Sequence, residues 1–297
     1  MGFGWGALAS APPMGRIFAP MSLLDTLSAP EALPNGKVHY RSGNALALLT
    51  LVNPPANGYS YEMLRDLDEA ILRARFDDTV QVIVLAGAGE KFFCAGADIA
   101  MLNRLTPTQK YYFCLHANET LQRLERTPKL VIAALSGHCV GGGLEIALAA
   151  DLRLARRGSG KCGLPEVALG VLPGTGGTQR LARLLGRAKA IELMTSGRTF
   201  DYDEALALGV VTEVRDAADD AAFLELVLAH AKTFTTPGRA AMSVGHIKAA
   251  VHGGVDLPLD AGLALERELQ AKLFASADAK EGIAAYVEKR PAQFQGK

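Results

Sequence analysis

An apolar segment that breaks into glycines is the feature that most constrains the fold of this chain. Leu130–Leu135 is an unbroken apolar run, which is typical of a strand buried on both faces of a parallel sheet. Ser136 and Gly137 follow, and Gly141–Gly143 then lead into a helical pattern over residues 144–152. The segment therefore predicts a buried strand, a tight glycine turn and a helix, which is the repeating unit of an α/β fold.

The glycines before this helix allow two interpretations. Backbone N–H groups at a helix start have no partner within the helix, and in the absence of Cβ atoms a negatively charged oxygen can approach them. Glu145 lies in the first turn, so an ionisable carboxyl stands beside this anion site. In the alternative interpretation the glycines serve only close packing, and Glu145 complements the helix dipole.

A second segment repeats the pattern. Val80–Leu85 is a predicted buried strand that ends in glycines, and the small residues of Cys94–Ile99 lead into a predicted helix. Two such units side by side in a parallel sheet place their loops at the carboxyl ends of the strands, where α/β folds bind ligands. One N–H group from each loop, at Ala97 and at Gly142, is then expected to point at a single oxygen.

Two carboxyl groups lie beside glycine-rich turns in this region, Glu145 and Glu166. A pair of carboxyls that faces one small space can position a water, with one taking its proton while the other delivers a proton to the substrate. This division of roles suits the addition of water to a double bond conjugated to a carbonyl. Two alternatives stay open: Glu166, which follows Pro165, as an exposed loop residue, and Asp98 as a helix cap.

Composition and charge exclude several classes of function. The chain has 31 basic and 31 acidic residues, so it lacks the positive charge that nucleic-acid binding requires. Its four cysteines form no C-x-x-C pair, which argues against a zinc site or a disulfide framework and fits a reducing compartment. No apolar run reaches the roughly 18 residues that span a bilayer. We therefore expect a cytoplasmic protein without a bound metal, a nucleic-acid partner or a membrane span.

Two nucleotide-binding patterns in the chain lack the context that they require. Residues 158–163 satisfy G-x-G-x-x-G, and residues 155–162 are one residue away from a Walker A pattern. Both motifs must lead into a helix, but Gly163, Leu164 and Pro165 follow and break one. We therefore expect no nucleotide site here.

The final third of the chain is predicted to be mostly helical. Helical patterns cover residues 179–185, 188–195, 202–208, 221–234, 238–251, 259–274 and 277–289, and a short strand is predicted at residues 210–214. We expect residues 1–36 to form an N-terminal extension that is poorly ordered at least to residue 20. Residues 37–235 are then the α/β core, and residues 236–297 a C-terminal helical region used for assembly.

Four segments, in the same order along the chain, resemble the crotonase or enoyl-CoA hydratase/isomerase superfamily. Residues 93–99 (FCAGADI) resemble its first oxyanion segment, and residues 137–145 (GHCVGGGLE) its second. Residues 163–180 (GLPEVALGVLPGTGGTQR) resemble its third signature, and residues 281–296 are similar to its last helix and chain end. The resemblance covers the chain from about Lys37 to Lys297.

The resemblance implies a fold, a substrate and a set of binding residues. The fold is an α/β, crotonase-like spiral of ββα units with a C-terminal helical oligomerisation region, assembled as a trimer or as a hexamer of two trimers. The substrate is an acyl-CoA thioester whose carbonyl is held by the N–H groups of Ala97 and Gly142, and no separate cofactor is needed. Coenzyme A contacts fall on Ala95, Asp98, Ile99, Ala100, Tyr286 and Lys289, of which the last two reach the coenzyme A of a neighbouring subunit.

The number of carboxyls distinguishes reactions within this superfamily. Hydratases of the short-chain type carry glutamates at both positions, whereas isomerases commonly keep only the later one. Because Glu145 and Glu166 are both present, the resemblance implies an enoyl-CoA hydratase of fatty-acid degradation, with Glu145 as the base toward water and Glu166 as the acid that protonates Cα. Δ3-Δ2-enoyl-CoA isomerisation and hydration of 3-methylglutaconyl-CoA remain alternatives. A catalytically idle member of the family, with an assembly or RNA-binding role, is the alternative from another class.

Overall fold

The computed structural model describes residues 22–297, so the expectation for residues 1–20 lies outside the described residues. The strands in this range are β1 (Glu31–Ala32), β2 (Val38–Gly43), β3 (Leu46–Leu51), β4 (Val82–Gly87), β5 (Phe92–Cys94), β6 (Leu130–Leu135), β7 (His138–Val140), β8 (Leu152–Arg156), β9 (Lys161–Gly163), β10 (Phe200–Asp201) and β11 (Glu213–Arg215). The α-helices are α1 (Tyr61–Phe76), α2 (Ile99–Arg104), α3 (Pro107–Glu125), α4 (Gly142–Leu148), α5 (Gly177–Leu185), α6 (Arg187–Ser196), α7 (Tyr202–Leu208), α8 (Asp220–Lys232), α9 (Ala241–Gly254), α10 (Leu259–Phe274) and α11 (Ala277–Glu288). Short 3-10 helices form at Leu24–Thr26 and Glu166–Leu169.

The strands form one large and one small sheet. The large sheet has the order β1-β2-β3-β4-β6-β8-β11 and is parallel from β3 onward, whereas β1, β2 and β3 pair antiparallel. The small sheet has the order β10-β9-β7-β5, with β5, β7 and β9 parallel. Successive strands alternate between the two sheets. β4, β6 and β8 belong to the large sheet, each is followed by a strand of the small sheet (β5, β7 and β9), and helical segments follow each pair. This confirms the predicted α/β architecture of successive ββα units.

Alternating side chains bury both faces of the large sheet. In β3, Leu46 and Leu48 belong to one buried cluster, and Ala47 and Leu49 belong to a second cluster on the opposite face. This alternation is the two-residue period of a strand. Phe223 of α8 covers the first face, so both faces of the strands are withdrawn from water. The continuous apolar runs follow from this arrangement, because no face of these strands is left for polar residues.

The helix after the glycine turn is shorter than predicted. The pattern extends to residue 152, but α4 ends at Leu148 and β8 begins at Leu152. Asp151 holds the intervening turn: its carboxylate accepts the N–H of Val131 at 2.7 Å and pairs with Lys248 of α9 at 2.8 Å. Ala149 and Ala150 in this turn are apolar because they are buried. The apolar pattern of the helix therefore continues past its end.

The last strand of the large sheet lies later than its apolar pattern suggests. Residues 210–214 were the expected strand, whereas β11 begins at Glu213. Val210 and Val211 are buried in the connection from α7, where the N–H of Val210 donates to the carbonyl of Ala205 at 2.8 Å. Burial in a turn and burial in a strand require the same residue types, so the pattern does not separate them.

The described part of the predicted N-terminal extension packs on the core. Leu27 and Leu33 are buried, and β1 pairs with β2. The Glu225 carboxylate on α8 accepts the N–H groups of Leu23 and Leu24, each at 2.9 Å. The domain limits after residues 36 and 235 remain predictions.

The segment with the nucleotide-binding patterns has no phosphate loop. Residues 161–163 are strand β9 of the small sheet, between β7 and β10, and the side chain of Cys162 is buried there. The next α-helix, α5, begins only at Gly177. Within the described range, none of the helices combines the length and the hydrophobicity needed to span a membrane.

Candidate active site

Six of the predicted site residues line one cavity of about 430 Å³. The cavity opens where the loops after β5, β7 and β9 meet, as expected for the carboxyl ends of parallel strands. The predicted residues on its wall are Ala95, Ala97, Ile99, Gly142, Glu145 and Glu166. The two loops and the two carboxyls are therefore brought together, although up to about 70 residues of chain separate them.

The two predicted N–H donors have no acceptor in the part of the chain that the structure describes. Tyr59 flanks Ala97, because its N–H donates to the carbonyl of Gly96 at 2.9 Å and its carbonyl accepts the N–H of Asp98 at 3.0 Å. Gly142 is the first residue of α4, where the N–H has no partner within the helix. Among residues 22–297, neither the N–H of Ala97 nor that of Gly142 has a hydrogen-bond acceptor.

Glycines allow the two loops to touch. Gly96 has φ +90°, and a Cβ atom added to it would lie 3.0 Å from the nitrogen of Gly142. Gly141 has φ +56°, and a Cβ atom at Gly143 would lie 2.0 Å from the carbonyl oxygen of Cys94. The glycines thus serve close packing, as the alternative interpretation proposed, and the same packing brings the two free N–H groups to the same cavity wall.

Glu145 is buried and its carboxyl accepts three hydrogen bonds. The N–H groups of Thr175 and Gly177 donate to Oε1 at 2.8 and 2.7 Å, and the Thr175 hydroxyl donates to Oε2. Burial raises the pKa of this carboxyl, and the hydrogen bonds from Thr175 and Gly177 oppose the rise. The residue is 2% exposed and lines the cavity, so interaction with the helix dipole alone does not account for its surroundings.

The loop that binds Glu145 is itself fixed by α3. Asn118 donates its side-chain N–H to the carbonyl of Gly174 at 3.3 Å. Arg180, at the start of α5, pairs with Glu125 at 2.8 Å and donates to the carbonyl of Thr175 at 3.4 Å. The hydrogen-bond donors around Glu145 are therefore preorganised before any ligand binds.

Glu166 begins the 3-10 helix after Pro165 and faces the cavity from the opposite loop. A Cβ atom added to Gly141 would lie 3.1 Å from its Oε1 atom, so the carboxyl lies directly against the glycine turn. Its Oε2 atom is buried and has no hydrogen-bond partner within residues 22–297. Burial raises the pKa of Glu166 to about 7. The alternative interpretation as an exposed loop residue is therefore wrong.

The rest of the cavity wall is mostly apolar, and sequence reasoning did not assign it. Tyr59, Phe113, Cys114 and Leu172 contribute to this wall, and Lys110 adds one charged side chain. The Tyr59 and Phe113 rings stack with centroids 5.6 Å apart. Neither residue lies in a glycine-rich segment, so only the packing of α3 against the loop before α1 reveals them.

Four predicted contacts lie outside the cavity of this single chain. The carboxylate of Asp98 accepts the N–H of Met101 at 3.0 Å, which confirms the helix-cap interpretation. Ala100 is exposed on α2. Tyr286 is 86% exposed on α11, and Lys289 follows the end of that helix. Coenzyme A contacts at these four positions remain predictions.

Residues 41–297 match the model of the enoyl-CoA hydratase/isomerase family. The chain belongs to this family. It is 39% identical to the putative enoyl-CoA hydratase/isomerase YngF of Bacillus subtilis, over 84% of this chain and 95% of that protein. It is 35% identical to the short-chain-enoyl-CoA hydratase of Clostridium acetobutylicum, over 82% and 92% of the two chains. The enoyl-CoA hydratase structure from Geobacillus kaustophilus superposes with a TM-score of 0.84 at 41% identity, covering 88% of this chain and 97% of that one. The resemblance and the crotonase-like fold are therefore confirmed.

Proposed function

We propose that the protein is an enoyl-CoA hydratase that adds water across the 2,3 double bond of an enoyl-CoA thioester in fatty-acid metabolism. The observation that carries the proposal is that Glu145 and Glu166 face one cavity beside the free N–H groups of Ala97 and Gly142. The hydratase names of the related proteins support it. Coenzyme A belongs to the substrate, and we propose no separate cofactor.

The two N–H groups activate the substrate. The thioester oxygen accepts hydrogen bonds from Ala97 and Gly142, and these bonds strengthen as negative charge builds on the oxygen when water attacks C3. Donors that are fixed before the reaction stabilise such an enolate without reorganising, and each contributes on the order of 3 kcal/mol. Because both groups are backbone N–H donors, this activation does not change with pH.

The two carboxyls divide the proton transfers. The water oxygen bonds to C3 and its proton moves to Glu145, whose three hydrogen bonds favour the ionised form that accepts it. Glu166 gives its proton to C2, which takes the electron pair of the former double bond. The pKa of Glu166, raised to about 7 by burial, lets this carboxyl hold a proton near neutral pH. Exchange with solvent then restores both groups.

We further propose that the protein works as a homo-oligomer, a trimer or a hexamer of two trimers in the cytoplasm. The C-terminal helices expose a set of large apolar side chains that a monomer would leave in water: Val251, Val255, Leu259, Phe274, Tyr286 and Val287. In such an assembly Tyr286 and Lys289 contact the coenzyme A of a neighbouring subunit. Light scattering of the purified protein should give a mass near three or six chains, and a monomer mass would contradict the proposal.

Hydration of crotonyl-CoA tests the proposed activity directly. The absorbance of the conjugated thioester should fall when the protein is added, and Glu145→Gln and Glu166→Gln should each slow this by on the order of a hundredfold or more. Glu69→Gln is a matched control, because Glu69 is an exposed glutamate on α1 outside the cavity.

The product mass separates the remaining reactions. Hydration adds one water to the substrate, whereas Δ3-Δ2 isomerisation leaves its mass unchanged. If the protein hydrates 3-methylglutaconyl-CoA but not crotonyl-CoA, it is a hydratase of branched substrates and not a general short-chain hydratase. If the protein converts a 3-enoyl-CoA without adding water, its reaction is isomerisation and not hydration.

A further inference from the structure

A chain of two hydroxyl groups leads from the cavity wall to Glu145. The Tyr59 hydroxyl lies 3.2 Å from Thr175 Oγ1, and the Thr175 hydroxyl is in turn hydrogen-bonded to Glu145 Oε2. Tyr59 and Thr175 are each only 2% exposed. The three side chains come from the loop before α1, the loop before α5 and α4, so only the tertiary structure assembles them.

The direction of the hydrogen bonds follows from the chemistry of the groups. An ionised carboxylate can only accept, and a threonine hydroxyl has a single proton to donate. When Glu145 is ionised, Thr175 therefore donates to it, and Tyr59 must donate to Thr175. When Glu145 is protonated, its own hydroxyl can donate, and the hydrogen bonds from Tyr59 to Thr175 to Glu145 are no longer required. These two hydrogen bonds therefore stabilise the ionised state more than the protonated one.

We propose that Tyr59 and Thr175 form a hydroxyl relay that orients Glu145 and keeps it ionised as the base. Here the hydroxyl relay means the side chains of Tyr59 and Thr175 together. Both are positioning residues, because they act on the reaction through Glu145. The proposal rests on the proposed function for the role of Glu145 as the base, but its effect on the proton affinity of Glu145 can be measured without turnover.

The surroundings of Glu145 explain why such a relay is needed. Burial raises the pKa of this carboxyl, and the second carboxyl, Glu166, faces the same cavity. The charge of Arg180 favours the ionised form, but Arg180 already pairs with Glu125 at 2.8 Å. Lys110 lines the same cavity, and the Cys114 thiol on α3 and the Tyr59 phenol also lie on its wall, where burial raises the pKa of both. Hydrogen bonds must therefore supply most of the stabilisation of the ionised carboxylate.

The position of Tyr59 is fixed by its neighbours. Its ring stacks on Phe113 with an angle of 14° between the planes. On the other side it lies against Gly142, because a Cβ atom added there would be 2.3 Å from the Tyr59 ring and 2.4 Å from its hydroxyl. The hydroxyl relay thus connects the base to the loop that carries one of the proposed oxyanion donors.

Three substitutions test the relay by its effect on the acid limb of the pH profile for kcat. Thr175→Val removes the hydroxyl at nearly constant volume, and we expect kcat to fall about tenfold and the limb to move about one pH unit higher, with KM little changed. Tyr59→Phe should cause a smaller shift in the same direction. Thr175→Ser keeps a hydroxyl and should restore the wild-type limb.

The double variant and an infrared titration sharpen the test. If Tyr59 acts only through Thr175, Tyr59→Phe/Thr175→Val should behave like Thr175→Val alone. The infrared band of the protonated Glu145 carboxyl is identified as the carboxyl stretch that Glu145→Gln lacks. The pH at which this band is half lost, the infrared midpoint, should rise by about one unit in Thr175→Val. Tyr202→Phe is the control, because it removes another buried tyrosine hydroxyl, one that donates to the carbonyl of Gly137 away from the cavity.

Each outcome has one meaning for the relay. An unchanged infrared midpoint in Thr175→Val would overturn it, as would a Thr175→Ser variant as impaired as Thr175→Val. A double variant with additive losses would also overturn it, because Tyr59 would then act independently of Thr175. A wild-type protein without hydratase activity would reject the proposed function, and the infrared midpoint would still decide whether the relay controls the Glu145 proton.

Discussion

Glu145 and Glu166 lie on the same cavity, but the groups around the two carboxyls differ. Glu145 is almost completely buried and accepts hydrogen bonds from two backbone N–H groups and one hydroxyl. Glu166 is only partly buried, and its Oε2 atom has no partner among the described residues. Burial raises the pKa of both carboxyls, but only at Glu145 do three hydrogen bonds oppose that rise.

The comparison shows how a chain can give two identical side chains different surroundings, as the proposed base and acid require. Donors aimed at a carboxyl lower its proton affinity, and burial without donors raises it. Glu145 receives its donors from the loop before α5, which the Arg180–Glu125 pair holds in place. Glu166 lies on a single 3-10 turn whose neighbours offer burial but few donors.

The largest effect is expected when one of the two carboxyls is replaced by an amide that cannot transfer a proton. Glu145→Gln and Glu166→Gln should each lower kcat by on the order of a hundredfold to ten-thousandfold, because each removes one proton-transfer group. The double variant should be little worse than either single one, since the reaction needs both groups together. Stopped-flow hydration of crotonyl-CoA measures these rates. If the loss in the double variant equals the product of the two single losses, the assignment of one base and one acid is wrong.

A slightly smaller effect is expected from Gly142→Ala. The added Cβ atom would lie 2.3 Å from the Tyr59 ring, so either the ring or the N–H of Gly142 must move. We expect kcat/KM to fall by on the order of a hundredfold, as for loss of one oxyanion donor. Gly254→Ala is the matched control, because its nearest neighbour beyond the helix would be 3.8 Å away and its activity should be unchanged. Full activity of Gly142→Ala would exclude its N–H from the mechanism.

The pH profile separates the two carboxyls. The proposed mechanism requires Glu145 ionised and Glu166 protonated. We therefore expect kcat/KM to rise as the pH increases through the pKa of Glu145 and to fall as it passes that of Glu166, which is about 7. In Glu166→Gln the alkaline limb near pH 7 should be lost from the residual activity. Survival of that limb in Glu166→Gln would show that another group supplies the proton.

The smallest effect is expected from loosening the loop that holds Glu145. Glu125→Gln removes the charge that fixes Arg180, whose guanidinium is largely buried at the start of α5. We expect a loss of kcat of only about threefold to tenfold, because the N–H donors of Thr175 and Gly177 remain in place. Arg73→Gln, which breaks the exposed pair with Glu31, is the control and should leave kcat unchanged. A hundredfold loss in Glu125→Gln would mean that the loop forms only with this pair.

Local pattern was enough to predict most elements of the fold. The apolar run from Leu130 to Leu135 coincides with β6, and the helix over residues 259–274 coincides with α10. The predictions were wrong at the end of α4 and the start of β11, where buried turns continue an apolar pattern. Burial selects apolar side chains whatever the backbone does, so element ends are less well determined than element types.

The sequence by itself determined which residue types could do the chemistry. Glycine turns next to buried strands indicated Ala97 and Gly142, and the glutamates beside such turns were Glu145 and Glu166. These inferences depend on neighbours along the chain, and they agree with the resemblance to the family that the comparisons confirm. A segment carries such information because backbone conformation is set mainly by local sterics.

Only the tertiary structure decided what surrounds each carboxyl. Thr175 lies 30 residues from Glu145, and Tyr59 lies 116 residues from Thr175. No local pattern encodes such contacts, because they depend on how α3, α4 and the loops before α1 and α5 pack. The proton affinity of a buried group is the sum of its desolvation and its hydrogen bonds, and both are set by residues distant along the chain.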